Sequence, residues 1–178
     1  MIKIFIADKR DFPSSKSLIA HILSDRYGEK NYQICKTEHG KPYLQGVESE
    51  SVKHLSVSHT KEKYFILFSS ENAGIDAELS NRTVRLSSVL KKLNEEERTS
   101  IRSKEDFLKV WTAKESVVKY LGEKLATHLK RICVVDDRCY LDGELLLISL
   151  QWLSFDGHTV CVCSKENTPP TIERLSLL

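Results

Sequence analysis

Two stretches of the chain carry residue types and spacings that could do chemistry. Gly74-Ile75-Asp76-Ala77-Glu78 places two carboxylates two residues apart. In a β-strand both would project from one face with Cα atoms roughly 6.5–7 Å apart. Oxygens converging in that way suit a hard divalent cation such as Mg²⁺, which is usually held by few carboxylates together with phosphates and waters. In the second stretch, Trp111, Glu115 and Lys119 fall at i, i+4 and i+8, so one stripe of a helix carries an aromatic ring, an acid and a base. Either piece alone is weak, because acidic pairs on strands and Lys-Glu pairs on helices are most often solvated surface.

The elements that must position these residues follow from periodicity. Ile2, Ile4 and Ile6 alternate with Lys3 and Phe5 as in a strand. Leu18, Ile19, Ile22 and Leu23 recur at helical spacing after Pro13-Ser14-Ser15, and Gly28 ends that helix. Short β-like runs follow around residues 32–35, 43–44, 54–58 and 64–68. The acidic strand is expected over Gly74–Leu79. Helical patterns are expected at Val84–Leu93 and Ser103–Leu121, with Ser103 and Asp106 as an N-terminal cap pair and Gly122 as the stop. Strands at 131–135, 144–154 and 158–164 would be joined through turns that include Asp142-Gly143 and Asp156-Gly157. The expected fold is therefore α+β: two pseudo-duplicated β-α-β-β-β-like halves packed around a shared cleft. Residues 1–73 and 74–165 form the halves, and 166–178 form a tail loosened by Pro169-Pro170.

Composition narrows the class. A chain of 178 residues with 40% hydrophobic and 29% charged residues is a folded globular protein, far from the disordered corner. Its net charge of +2 lacks the basic excess of a nonspecific nucleic-acid binder. No apolar stretch approaches the 18 or so residues of a membrane span. Five cysteines without a CxxC are read as buried thiols in a reducing cytoplasm. A cytoplasmic protein, monomeric and without nucleic-acid or membrane partners, is expected.

Taken in order, the chemical pieces become specific. Gly40-Lys41-Pro42 precedes a β-like run that ends in Ser56-Val57-Ser58-His59, then come Gly74-Ile75-Asp76-Ala77-Glu78 and the pattern WxxKExxxK from Trp111 to Lys119. The order GKP, SxSH, GIDxE, WxxKExxxK resembles the 4'-phosphopantetheinyl transferase family, in the group with both halves on one chain. The resemblance implies transfer of the phosphopantetheine arm of coenzyme A to a serine hydroxyl of an apo acyl or peptidyl carrier protein. It also implies a requirement for Mg²⁺ and release of adenosine 3',5'-bisphosphate. By the same likeness Asp76, Glu78 and Glu115 are metal ligands, Lys119 is the base near the diphosphate, and Lys41, Pro42, Ser58 and His59 contact coenzyme A. Lys16, opening the first helix, resembles a family basic position and is the candidate for the 3'-phosphate, favoured there by the helix N-terminus.

Glu115 is asked to be both ligand and general base, and the residues alone leave that open. Trp111 is read as a core anchor rather than a ligand contact. Arg82, Arg85, Lys91 and Lys92 are a candidate basic patch for an acidic carrier. Two other classes stay open at this stage: a noncatalytic carrier- or nucleotide-binding module, and another Mg²⁺-dependent diphosphate enzyme.

Overall fold

Both sides of the first strand are buried, so it must lie inside a stack. In β1 (Ile2–Asp8), Ile2, Ile4 and Ile6 project from one face and Phe5 and Ala7 from the other, and none is more than 6% exposed. A computed structural model, which describes residues 1–176, shows what covers each face. After β1 come α1 (Ser15–Tyr27), a hairpin of β2 (Gln33–Lys36) and β3 (Pro42–Gln45), then β4 (His54–His59), β5 (Lys63–Ser69) and β6 (Ala73–Leu79). Short helices α2 (Leu86–Val89) and α3 (Glu95–Ser100) lead to the long α4 (Lys104–Leu121) and the single turn α5 (Leu125–His128). The remaining strands are β7 (Ile132–Val135), β8 (Arg138–Leu141), β9 (Glu144–Leu145), β10 (Ser149–Phe155), β11 (His158–Ser164) and β12 (Thr171–Leu175).

Two sheets form the centre, with orders β12-β1-β5-β4 and β10-β11-β6. They stack face to face: Ile2, Ile4, Ile6, Phe65 and Leu67 of one meet Ala73, Ile75, Ala77, Val160 and Val162 of the other. The helix α1 covers the outer face of the first sheet with Leu18, Ile19, Ile22 and Leu23. The helix α4 covers the second with Ala113, Val117 and Val118, against Cys161 and Cys163. The result is a helix, sheet, sheet, helix stack, the expected α+β class.

The strands β4 and β6 run side by side where the sheets meet, joined by side chains rather than a backbone ladder. The Ile75 N–H donates to Ser56 Oγ at 3.1 Å and the Ala77 N–H to Ser58 Oγ at 3.1 Å. Hydroxyls two residues apart thus satisfy amides two residues apart, so the edge of β6 leaves these buried donors paired. At the end of the same seam, His158 Nδ1 donates to Asp156 O at 2.8 Å, so its Nε2 accepts from the Thr60 hydroxyl at 3.0 Å.

Capping fixes α4 as expected. Ser103 Oγ accepts from the Asp106 N–H at 3.0 Å, the Asp106 carboxylate accepts the Ser103 N–H at 3.0 Å, and Gly122 closes the helix with φ 76°. Both Asp-Gly pairs turn hairpins with positive φ at each residue.

Four expectations change. The helix at 84–93 shrinks to α2 and a 3-10 turn over Leu90–Lys92, because no side chain caps its start and no residue from Leu86 to Lys92 is buried. The strand at 144–154 breaks into β9 and β10. A strand missing from the sequence reading, β8, pairs with β7 across Asp136-Asp137, where both residues take positive φ. The tail is not loose: β12 pairs in parallel with β1, Lys3 opposite Thr171 through Ala7 opposite Leu175, and Leu175 is buried. All five cysteines are free, and Cys139, Cys161 and Cys163 are buried while Cys35 and Cys133 are half-buried. Burial pushes the Cys139 and Cys161 thiols up to about 12, so neither is a nucleophile at neutral pH.

Candidate metal and phosphate site

Alternation along β6 turns Ile75 and Ala77 into the core between the sheets and leaves Gly74, Asp76 and Glu78 facing α4. The helix crosses the strand at Gly74. A Cβ there would lie 2.0 Å from Ser116 O and 2.6 Å from Tyr120 N, so only glycine lets the two backbones approach this closely. That approach brings the Glu115 and Lys119 stripe of α4 onto the acidic face of β6.

Carboxylate oxygens of Asp76, Glu78 and Glu115 all lie within 4.8 Å of one another. Asp76 is 3% exposed. Its Oδ1 accepts from Ser58 Oγ at 2.9 Å and from Lys119 Nζ at 2.7 Å, while Lys119 also donates to Ile75 O at 3.0 Å. Asp76 Oδ2 is buried with no partner. Glu78 is paired with Arg82, four residues on.

Two full negative charges 4.8 Å apart repel by roughly 3 kcal/mol at an effective dielectric of 20. The cluster relieves that repulsion at Glu115, whose carboxyl is pushed up to about 7 by burial first and by the Asp76 charge second, against the opposing pull of Lys119. The donor set is all oxygen, three acids converge, and the orphaned Asp76 oxygen needs a positive partner. These features fit a hard divalent cation held through Asp76 Oδ2, Glu78 and Glu115.

Other expected site residues are placed differently. Ser58 is 4% exposed, and its hydroxyl proton goes to Asp76, so it orients the acid instead of facing open solvent. Lys41 reaches across from the loop before β3 to Asn72 Oδ1 at 2.7 Å and Tyr120 O at 3.2 Å, tying that loop to the C-terminal end of α4. Both partners are neutral oxygens, and burial pushes the ammonium down to about 8. His59 ends β4 exposed, with Lys9 Nζ 3.5 Å from its Nδ1 and the Tyr64 ring edge-on at 6.4 Å. Pro42 opens β3 half-buried, and Lys16 is exposed on the first turn of α1. Of the basic patch, Arg82 is engaged by Glu78, whereas Arg85, Lys91 and Lys92 are exposed.

Sequence reasoning missed the residues that hold the site together from behind. Lys114, inside the quoted helix pattern, is fully buried and donates to both oxygens of Glu97 at 2.7 and 2.6 Å, while Glu97 also accepts the Val134 N–H at 2.8 Å. This pair pins α3, α4 and β7 together. The available signal was a lysine on the apolar face of an amphipathic helix, which buried burial demands a partner for.

Among known families, residues 72–163 match the 4'-phosphopantetheinyl transferase superfamily, a span of just over half the chain that contains β6, α4 and every acid of the cluster. No individual curated protein matches the chain. With the family's match lying over the strand and helix that bring the three acids together, the chain belongs to the 4'-phosphopantetheinyl transferase superfamily.

Proposed function

We propose that this protein transfers the 4'-phosphopantetheine arm of coenzyme A to a serine hydroxyl of an apo acyl or peptidyl carrier protein, with Mg²⁺ required and adenosine 3',5'-bisphosphate released. The observation that carries the reading is the orphaned Asp76 Oδ2 among three converging acids inside the matched family region.

In this reaction the serine oxygen bonds to the phosphorus bearing the arm, the diphosphate bridge to that phosphorus breaks, and the serine proton must leave. Asp76, Glu78 and Glu115 would hold the Mg²⁺, which when bound supplies charge neutralisation at the diphosphate. Lys119, on the helix stripe beside them, adds a fixed positive charge next to the same phosphates. Glu115 is also assigned the serine proton, directly or through a water, because its carboxylate stands among the acids beside the diphosphate. Ser58 and the seam of β4 keep Asp76 turned toward its partners. His59, Pro42 and Lys16 are assigned to coenzyme A, while Lys41 acts by holding the loop of Pro42 against α4.

The halves are read as residues 1–73 and 74–165. In support, β1-β5-β4 and β6-β11-β10 are both antiparallel sets in which the first strand lies beside the last, each with a helix on its outer face. Free thiols fit a reducing, cytoplasmic location. No helix among the described residues is long and apolar enough to cross a membrane.

Incubation with coenzyme A, Mg²⁺ and apo carrier proteins, read by intact mass, tests the reading. Addition of the phosphopantetheine mass to a carrier is expected, and Asp76→Ala should abolish it while circular dichroism shows a folded protein. Transfer by Asp76→Ala at saturating Mg²⁺ would sink the metal assignment.

A further inference from the structure

Trp111 belongs to the motif of the site but is given no role by the metal and phosphate assignments. It sits on α4 one turn before Glu115, stacked on Phe107 with ring centroids 5.7 Å apart and planes 28° apart. Val84, Leu86, Val89 and Leu90 pack around the same cluster. A ring held on several sides points its N–H in a fixed direction. That N–H is buried without an acceptor at hydrogen-bond distance, and with Asp76 Oδ2 it is one of two such orphaned side-chain atoms among the described residues. The second tryptophan behaves as a structural residue does: Trp152 Nε1 donates to Lys109 O at 3.2 Å.

The other two acids show what the Trp111 N–H is for. Asp76 has one oxygen held by Ser58 and Lys119 and the other buried without a partner, and Glu78 is paired with Arg82. Glu115 has no such hydrogen bond, and the unpartnered indole N–H stands four residues earlier on the same helix face. Donors behind a ligand group commonly fix its orientation and cost affinity when removed.

We propose that Trp111 is a positioning residue whose indole N–H closes onto one oxygen of Glu115 and turns the other toward Asp76 and Glu78. This rests on the acid cluster being the cation site. It assigns the ring a job in ordering the third ligand, in addition to its packing.

The test uses Mn²⁺ as a paramagnetic stand-in, with bound ion counted by electron spin resonance on the full chain. Trp111→Phe keeps a ring and removes the donor. It should weaken Mn²⁺ binding roughly tenfold, the scale of one lost hydrogen bond to a charged group, while leaving the affinity for coenzyme A alone unchanged. As a second measurement that keeps Trp111 intact, Trp152→Phe leaves Trp111 as the sole indole, and its fluorescence should shift when Mn²⁺ or Mg²⁺ is added. Wild-type Mn²⁺ affinity in folded Trp111→Phe, or indole emission indifferent to the ion, overturns this proposal and leaves the metal reading standing. Absence of any Mn²⁺ binding by the wild-type chain, with or without coenzyme A, overturns both.

Discussion

Asp76 and Glu115 share one cluster, yet their surroundings set them apart. Asp76 has an ammonium and a hydroxyl on one oxygen, whereas Glu115 is half-buried beside two acids, with Lys119 as the main group opposing them. A carboxyl raised from 4.5 to about 7 by folding resists ionisation in the fold, so its contribution to stability is complete below about pH 4.5 and is lost as pH rises toward 7. Glu115→Gln removes that penalty. With metal chelated, the variant should melt at least about 2 °C above the wild type at pH 8, and the gain should vanish by about pH 4 in thermal scans at both values. A gain of the same size at both pH values would show that burial does not raise this acid. Lys41 and His59 separate in the same way. The Lys41 ammonium is spent on Asn72 and Tyr120, while His59 is exposed beside Lys9. Calorimetry should find that His59→Ala weakens coenzyme A more than dephospho-coenzyme A. Lys41→Ala should lower the melting temperature and weaken both ligands alike. A loss selective for coenzyme A in Lys41→Ala would place that ammonium on the 3'-phosphate.

At the scale of elements, the site exists because α4 lies directly on β6. Gly74→Ala puts a methyl group 2.0 Å from Ser116 O, a backbone atom that cannot step aside alone, so the helix must lift off the strand. The expected cost is about 3 kcal/mol or more, seen as a drop in melting temperature of roughly 6 °C or beyond, together with loss of metal binding. A Gly74→Ala protein of wild-type stability would mean that helix and strand do not touch there. Much of this pairing was legible in the sequence. Period-two spacing put Asp76 and Glu78 on one face, helical spacing aligned Glu115 with Lys119, and the cap residues Ser103 and Gly122 bounded the helix correctly. What periodicity could not give is which elements meet. The Ser56 and Ser58 hydroxyls joining β4 to β6, the Lys114 and Glu97 pair, and the reach of Lys41 to Tyr120 are all contacts between residues 17 or more positions apart. The strand β8 was missed because Asp136-Asp137 lacks the glycine that usually marks such a turn, and β12 because two prolines precede it.

For the whole molecule, the chain closes on itself. The strand β12 returns after the second sheet to pair with β1, and Arg174 on it meets Asp156 of the β10–β11 turn, which Lys63 of β5 also approaches at 3.5 Å. Sheet stacking, the serine seam and this ionic corner therefore fix the acid cluster relative to His59. In the proposed reaction a carrier protein brings its serine to that cluster from outside, and a net charge of +2 gives no long-range attraction to an acidic partner. Attraction has to come from a local patch. The segment between β6 and α4 offers one close in sequence to Glu78: Arg85, Lys91 and Lys92 are exposed, while Arg82 is neutralised by Glu78 and drops out of the set. Its helical content is slight and none of α2 or the following turn is buried, so charge reversal there should leave the core intact. Changing Arg85, Lys91 and Lys92 together to Glu should raise the KM for an acidic carrier severalfold at low salt, because rim charges act mainly on encounter. Exposed charges more than about 8 Å apart are largely screened at 0.15 M ionic strength, so the defect should shrink as salt is added. The KM for coenzyme A should not move, since none of the three lies among the residues assigned to it. A carrier KM that is unchanged at low ionic strength would remove this segment as the docking surface.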